Sequence, residues 1–124
     1  MNSLLKRTIK IPFTIDGDFC NNVVSSALCG GIEYWCSYVQ VKDLDGDGEK
    51  RLSYAVGNGG VLLIVDDSEQ THLLDFNKFC IGFEKYIKWC IENNRDFEID
   101  PINIDSVEAD IIIQFSIFGE IIYS

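Results

Sequence analysis

The chain has 124 residues, enough for one compact domain spanning 1–124 with a single core and too few for two. Hydrophobic residues make up 47% of it and aromatic residues 12%, which excludes a disordered chain. Twenty acidic residues against ten basic ones give a formal net charge of −10. That excludes generic attachment to nucleic-acid backbones or anionic membranes and suits either solubility or mimicry of a polyanion.

Residues Arg7 to Ile15 alternate, with Ile9, Ile11, Phe13 and Ile15 on one face and Thr8, Lys10 and Thr14 on the other, so a half-buried strand is predicted. Pro12 places that strand at an edge. Asp16-Gly17-Asp18 supplies a turn and a helix cap, and the spacing of Phe19, Val23, Val24 and Ala27 predicts a helix to Leu28. Gly30 is placed to end that helix in the left-handed conformation.

From Ile32 to Lys42 aromatic and β-branched residues predict a long strand, which sends Tyr34 and Trp35 to opposite faces. Asp43 to Glu49 reads as a turn, Arg51 to Val56 as a short strand and Gly57 to Gly60 as another turn. Val61 to Val65 and Thr71 to Leu74 are predicted as strands joined by a turn over Asp66 to Glu69.

Asp75 caps the strongest helical pattern, Phe76 to Glu92, in which Phe76, Phe79, Cys80, Phe83, Ile87 and Cys90 form one stripe. After an extended stretch from Phe97 to Pro101, Asp105 and Glu108 form a capping pattern for a helix through Phe118. That helix is apolar nearly all round, so it belongs at the centre, with the Phe76–Glu92 helix alongside it. Gly119 stops it, and Glu120 to Tyr123 reads as a closing strand. The order predicts an α+β domain, a mostly antiparallel sheet of about five to six strands with three helices packed on it.

Little in the chain has the form of a catalytic or metal site. Cys20, Cys29, Cys36, Cys80 and Cys90 are odd in number and include no C-x-x-C pair, and His72 is the only histidine, so they read as reduced core residues and not as zinc ligands. Asp43, Asp45 and Asp47, with Gly48 following, match the first half of a calcium loop. Lys50 and Tyr54 break the second half, so the segment reads as a hairpin turn and calcium is not expected to stabilise the fold. Gly57 to Gly60 lacks the Lys-Ser/Thr and the helix of a phosphate loop. Nucleophilic catalysis would depend wholly on His72, which reads as a surface or sheet residue, so no enzyme and no cofactor are expected. Met1 to Lys10 holds no apolar stretch of signal-peptide length, and no apolar run approaches a membrane span; a soluble, cytoplasmic protein is expected.

Two separated segments carry a resemblance. In the first, Gly30 and Gly31 are followed by Tyr34 and Trp35; in the second, Asp110 and Gln114 precede Phe118, Gly119, Glu120, Ile121, Ile122 and Tyr123. The pattern resembles a family of small acidic proteins of phages, prophages and mobile elements of Gram-positive bacteria, with Ser124 standing where that family has glycine. The resemblance implies a setting in a bacterial host cell and no particular mechanism.

Glu33, Tyr34 and Trp35 are the candidate binding residues, because tyrosine and tryptophan concentrate at interfaces. The expected function is a non-enzymatic accessory protein that binds a host protein and inhibits or sequesters it, for example against host defence. Two alternatives stand beside it. One is a ligand-binding sponge or small enzyme for a nucleotide, which requires Lys50, Arg51 or Arg95 gathered in one pocket; the other is an assembly protein of the element. A homo-oligomer is expected if an apolar strip of the last helix is left uncovered.

Overall fold

The structure is a computed structural model that describes residues 13–42, 52–97, 99–100 and 103–124. The elements are α1 (Gly17–Ser26), a π-helical turn (Ala27–Gly31), β1 (Cys36–Val41), a 3-10 turn (Val56–Asn58), β2 (Leu62–Asp66), β3 (Thr71–Leu74), α2 (Phe76–Glu92) and α3 (Ser106–Phe118). The domain is α+β, with three α-helices and one antiparallel sheet of order β1-β2-β3 among the described residues.

Each helix starts where its cap residue dictates. The carboxylates of Asp16, Asp75 and Asp105 accept the backbone N–H of Phe19, Lys78 and Glu108, each at 2.8 Å. Each cap satisfies one of the donors that a first turn leaves unpaired. Gly119 ends α3 in the left-handed region, at φ 77°.

The sheet pairs Val39 with Ile64, Val41 with Leu62, and Leu62 with Leu74, with an irregularity between Cys36 and Tyr38. Its inner face buries Val41, Leu62, Ile64 and Leu74. These pack into one core with Val23 and Val24 of α1, Phe79, Phe83 and Tyr86 of α2, and Ile112 and Ile113 of α3. As expected, α2 and α3 lie side by side, and theirs is the most extensive helix–helix contact among the described residues. A Cβ on Gly82 would stand 2.1 Å from Ser116 Oγ and 2.4 Å from Ser116 Cα, so the two backbones meet there.

Several expected strands take other forms. The sheet has three strands among the described residues in place of five or six. The alternating segment before α1 lies outside them except for residues 13–15, which form no strand. Leu52 to Ala55 makes turns, and Ala55 O then accepts Asn58 N and Gly60 N, closing a loop where a ladder was expected. That loop is held to α1, whose Asn21 Oδ1 accepts Gly57 N at 2.9 Å. Ile32 to Trp35 also turns, with Ile32 O accepting the N–H of Trp35 at 3.1 Å and of Cys36 at 2.9 Å, so β1 begins only at Cys36.

All five cysteines are free thiols; Cys20 and Cys90 are buried, Cys36 and Cys80 half-buried and Cys29 exposed. Burial pushes the Cys20 thiol up to about 12. Among the described residues no helix is long and apolar enough to cross a membrane. The segment holding Asp43, Asp45, Asp47 and Lys50 lies outside the described residues.

Candidate functional site

The two separated segments of the sequence meet around one carboxylate. Asp110 lies on the second turn of α3 and is almost fully buried. Its Oδ1 accepts the indole Nε1–H of Trp35 at 2.8 Å and the Gln114 Nε2–H at 3.0 Å. Its Oδ2 accepts the hydroxyl of Tyr34 at 2.6 Å. A buried carboxylate is tolerable because these donors replace its lost water.

The glycine pair makes this convergence possible. Gly30 adopts φ 103°, a left-handed conformation that turns the chain out of α1. A Cβ on Gly31 would stand 2.6 Å from Ser106 O, so only glycine lets the turn touch the start of α3. The turn that follows sends Tyr34 and Trp35 toward the same carboxylate, whereas a strand would have pointed them to opposite faces.

Gln114, one helical turn beyond Asp110, organises the C-terminal tail. Its Oε1 accepts the backbone N–H of Ile122 and Tyr123, both at 2.8 Å, and its Nε2 donates to Tyr123 O at 3.0 Å. The side-chain amide thus serves the tail as a neighbouring strand would, and Glu120 to Tyr123 forms no strand of the sheet. Tyr123 stacks on Trp35 with centroids 5.2 Å apart and planes 2° from parallel, and Phe118 packs at 5.5 Å from the same indole.

Trp35 is therefore a core residue at 0% exposure, while Tyr34 stays 51% exposed and Glu33 is exposed. Tyr34 stands at the edge of a cleft of about 630 Å³ between α3, the glycine turn and the tail. Val107, Ile111 and Ile121 line its apolar walls, with Trp89 and Tyr123, and Asp110 lies at its floor. Val107 is 62% exposed and Ile111 is half-buried, so this face of α3 is not fully covered. A larger depression of about 920 Å³ runs along α2 beside Phe13, Ile15, Ile87 and Ile91, with Glu84, Lys88 and Glu92 also lining it.

Partial burial, donation to Asp110 and the charge of Asp110 together push the Tyr34 phenol up to about 12. The neutral phenol is thus favoured by folding. Its contribution is full below the ordinary tyrosine value of about 10 and is lost as pH rises from there to about 12. In an ultraviolet titration, Tyr34→Phe should delete a phenolate component near 12. Deletion of a component near 10 would show that the hydroxyl is not held by Asp110.

Arg95 and His72 are each paired with a carboxylate. Arg95 pairs with Glu108 and lies over the Trp89 ring at 5.1 Å, and Tyr86 donates to the same Glu108 at 2.8 Å. His72 sits half-buried in β3, with Nε2 2.8 Å from Asp66 Oδ2 and its ring edge against Phe118. That contact, with donation from Gln70 and Ser68, holds the Asp66 carboxyl below its usual range. Among the described residues no group of three or more His, Cys, Asp or Glu side chains could hold a metal ion.

Sequence reasoning placed Asp110 and Gln114 in a motif without assigning either a partner. A signal was present, since two polar residues at i and i+4 in an otherwise apolar helix share a face and need buried partners. The chain matches no protein-family model, no curated protein and no solved structure.

Proposed function

We propose that the protein is a non-enzymatic binding protein of phage or mobile-element origin, which inhibits or sequesters a host protein in the bacterial cytoplasm. Its contact surface is the cleft of Tyr34, Val107 and Ile111. The observation that carries this reading is the coexistence of a half-exposed tyrosine and a mostly exposed valine with a rigidly partnered polar floor. Exposed aromatic and aliphatic side chains fixed by a buried network lose little entropy on binding, which favours a docking surface.

The test is capture of a partner from host lysate by the wild type and by Val107→Lys. Val107 projects into solvent, so the change should leave stability within about 0.5 kcal/mol. The variant should lose the partner while its melting temperature holds. Equal capture by both proteins would move the contact surface elsewhere, and no capture by the wild type would remove the reading's main support.

A second reading, a small-ligand pocket, is favoured by the cleft volume of about 630 Å³, within the range of small-molecule sites. A nucleotide fits it poorly, because Arg95 is paired with Glu108.

A further inference from the structure

The polar floor of the cleft discriminates between ligands by what it has left to offer. Three donors stand there, and all are turned inward. The Trp35 indole N–H and the Tyr34 hydroxyl donate to Asp110, and the Gln114 amide donates to Asp110 and Tyr123 O. What remains toward the cleft is acceptor capacity. A carboxylate has about four lone-pair positions, and Asp110 fills three among the described residues, two on Oδ1 and one on Oδ2. The Tyr34 oxygen, having given its proton to Asp110, accepts the Gln114 Nε2–H at 3.4 Å and has one lone pair left. The polar floor itself offers an anion no free donor, although the Ser106 and Ser124 hydroxyls line the cleft elsewhere, while a cation meets the Asp110 carboxylate.

We infer that the cleft accepts a lysine or arginine side chain from a basic segment of the partner protein. This rests on the docking reading above and names the chemistry that the site selects. The aliphatic stem lies along Val107 and Ile111, and the charged end reaches Asp110 Oδ2 and the Tyr34 oxygen. Long basic side chains pair an apolar stem with a charged tip in this way. The net charge of −10 adds long-range attraction for a basic partner.

The test uses the isotope-labelled full chain and three peptides, acetyl-Leu-Lys-Leu-amide and its norleucine and glutamate counterparts, with spermidine as a fourth probe. The readouts are the Trp35 indole N–H resonance, which reports on Asp110, and the Val107 and Ile111 amides. The lysine peptide should bind at least about tenfold more tightly than the norleucine peptide, and the glutamate peptide should not bind, as expected where a single added charge meets its counter-charge. Raising salt from about 0.05 M to about 0.5 M should reduce that advantage in the wild type only in part, because a buried carboxylate is screened less than an exposed one. Asp110→Asn keeps an oxygen for the Trp35 indole and removes the charge; a preserved indole resonance would confirm its fold, and the lysine preference should be gone.

Equal binding of the lysine and norleucine peptides would overturn the cation assignment while leaving the cleft as a docking surface. Spermidine binding as tightly as the lysine peptide would overturn the assignment to a partner protein. No shift from any probe at about 10 mM, a concentration at which even millimolar affinity registers, would overturn both the inference and the docking reading.

Discussion

Trp35→Ala is expected to cost about 3–5 kcal/mol of folding stability. The indole is at 0% exposure between Phe118 and Tyr123, so its removal leaves a cavity with rigid walls. The lost stacking with Tyr123 accounts for only about 0.5–1.5 kcal/mol beyond area burial, so the cavity dominates. The Asp110 carboxylate also loses its shortest Oδ1 donor, at 2.8 Å. A domain of this size has about 5–15 kcal/mol in total, and the variant should therefore sit near its unfolding threshold. Urea unfolding followed by circular dichroism reads the change, with a midpoint lower by about 2 M for an ordinary slope. A midpoint within about 0.3 M of the wild type, again at an ordinary slope, would mean that Trp35 is not the core residue described above.

Gly82→Ala is the second large effect, and it runs against helix propensity. Alanine is favoured over glycine inside a helix by about 1 kcal/mol. Here the new methyl would stand 2.4 Å from Ser116 Cα and 2.6 Å from Ser116 N, backbone atoms that cannot swing aside. Helices α2 and α3 would have to separate along the contact that organises the core. Overpacking of this kind costs about 1–3 kcal/mol and occasionally more, and contact with backbone places it at the top of that range. The clash outweighs the propensity gain, so the net loss should be about 2 kcal/mol. A more stable Gly82→Ala protein in the same urea experiment would contradict the close helix crossing.

What the sequence made legible was local. The bounds of α2, its Asp75 cap and the Asp105 cap of α3 all follow from side-chain periodicity and from a cap that reaches only three residues along the chain. The central burial of α3 followed from its all-round apolar surface. The turn at Ile32 to Trp35 was not legible, because aromatic and β-branched residues favour a strand unless something distant holds them otherwise. That something is Asp110, 75 residues away from Trp35 in the chain.

The tail misled for the same reason. Glu120 to Tyr123 has strand-like composition, but the groups that take its backbone hydrogen bonds are the side-chain amide atoms of Gln114. No periodicity announces a side chain acting as a strand edge. Tyr34 and Trp35 stood out together as binding candidates, and the fold separates them into a cleft residue and a core residue. Val107 and Ile111, which form the wall beside Tyr34, carry no signal in the sequence that distinguishes them from the buried isoleucines of the same helix.

The central claim is that a partner protein docks in the cleft beside Tyr34. The most direct measurement places a photoreactive phenylalanine analogue at Val107 in one protein and at Asn77 in another, and irradiates host cells expressing each. Asn77 is exposed in the first turn of α2, twelve residues before Trp89, about 18 Å along the helix from the cleft wall. A single host protein crosslinked from position 107 and not from position 77 is the predicted result. Crosslinks of equal yield from both positions, or from position 77 alone, would contradict it.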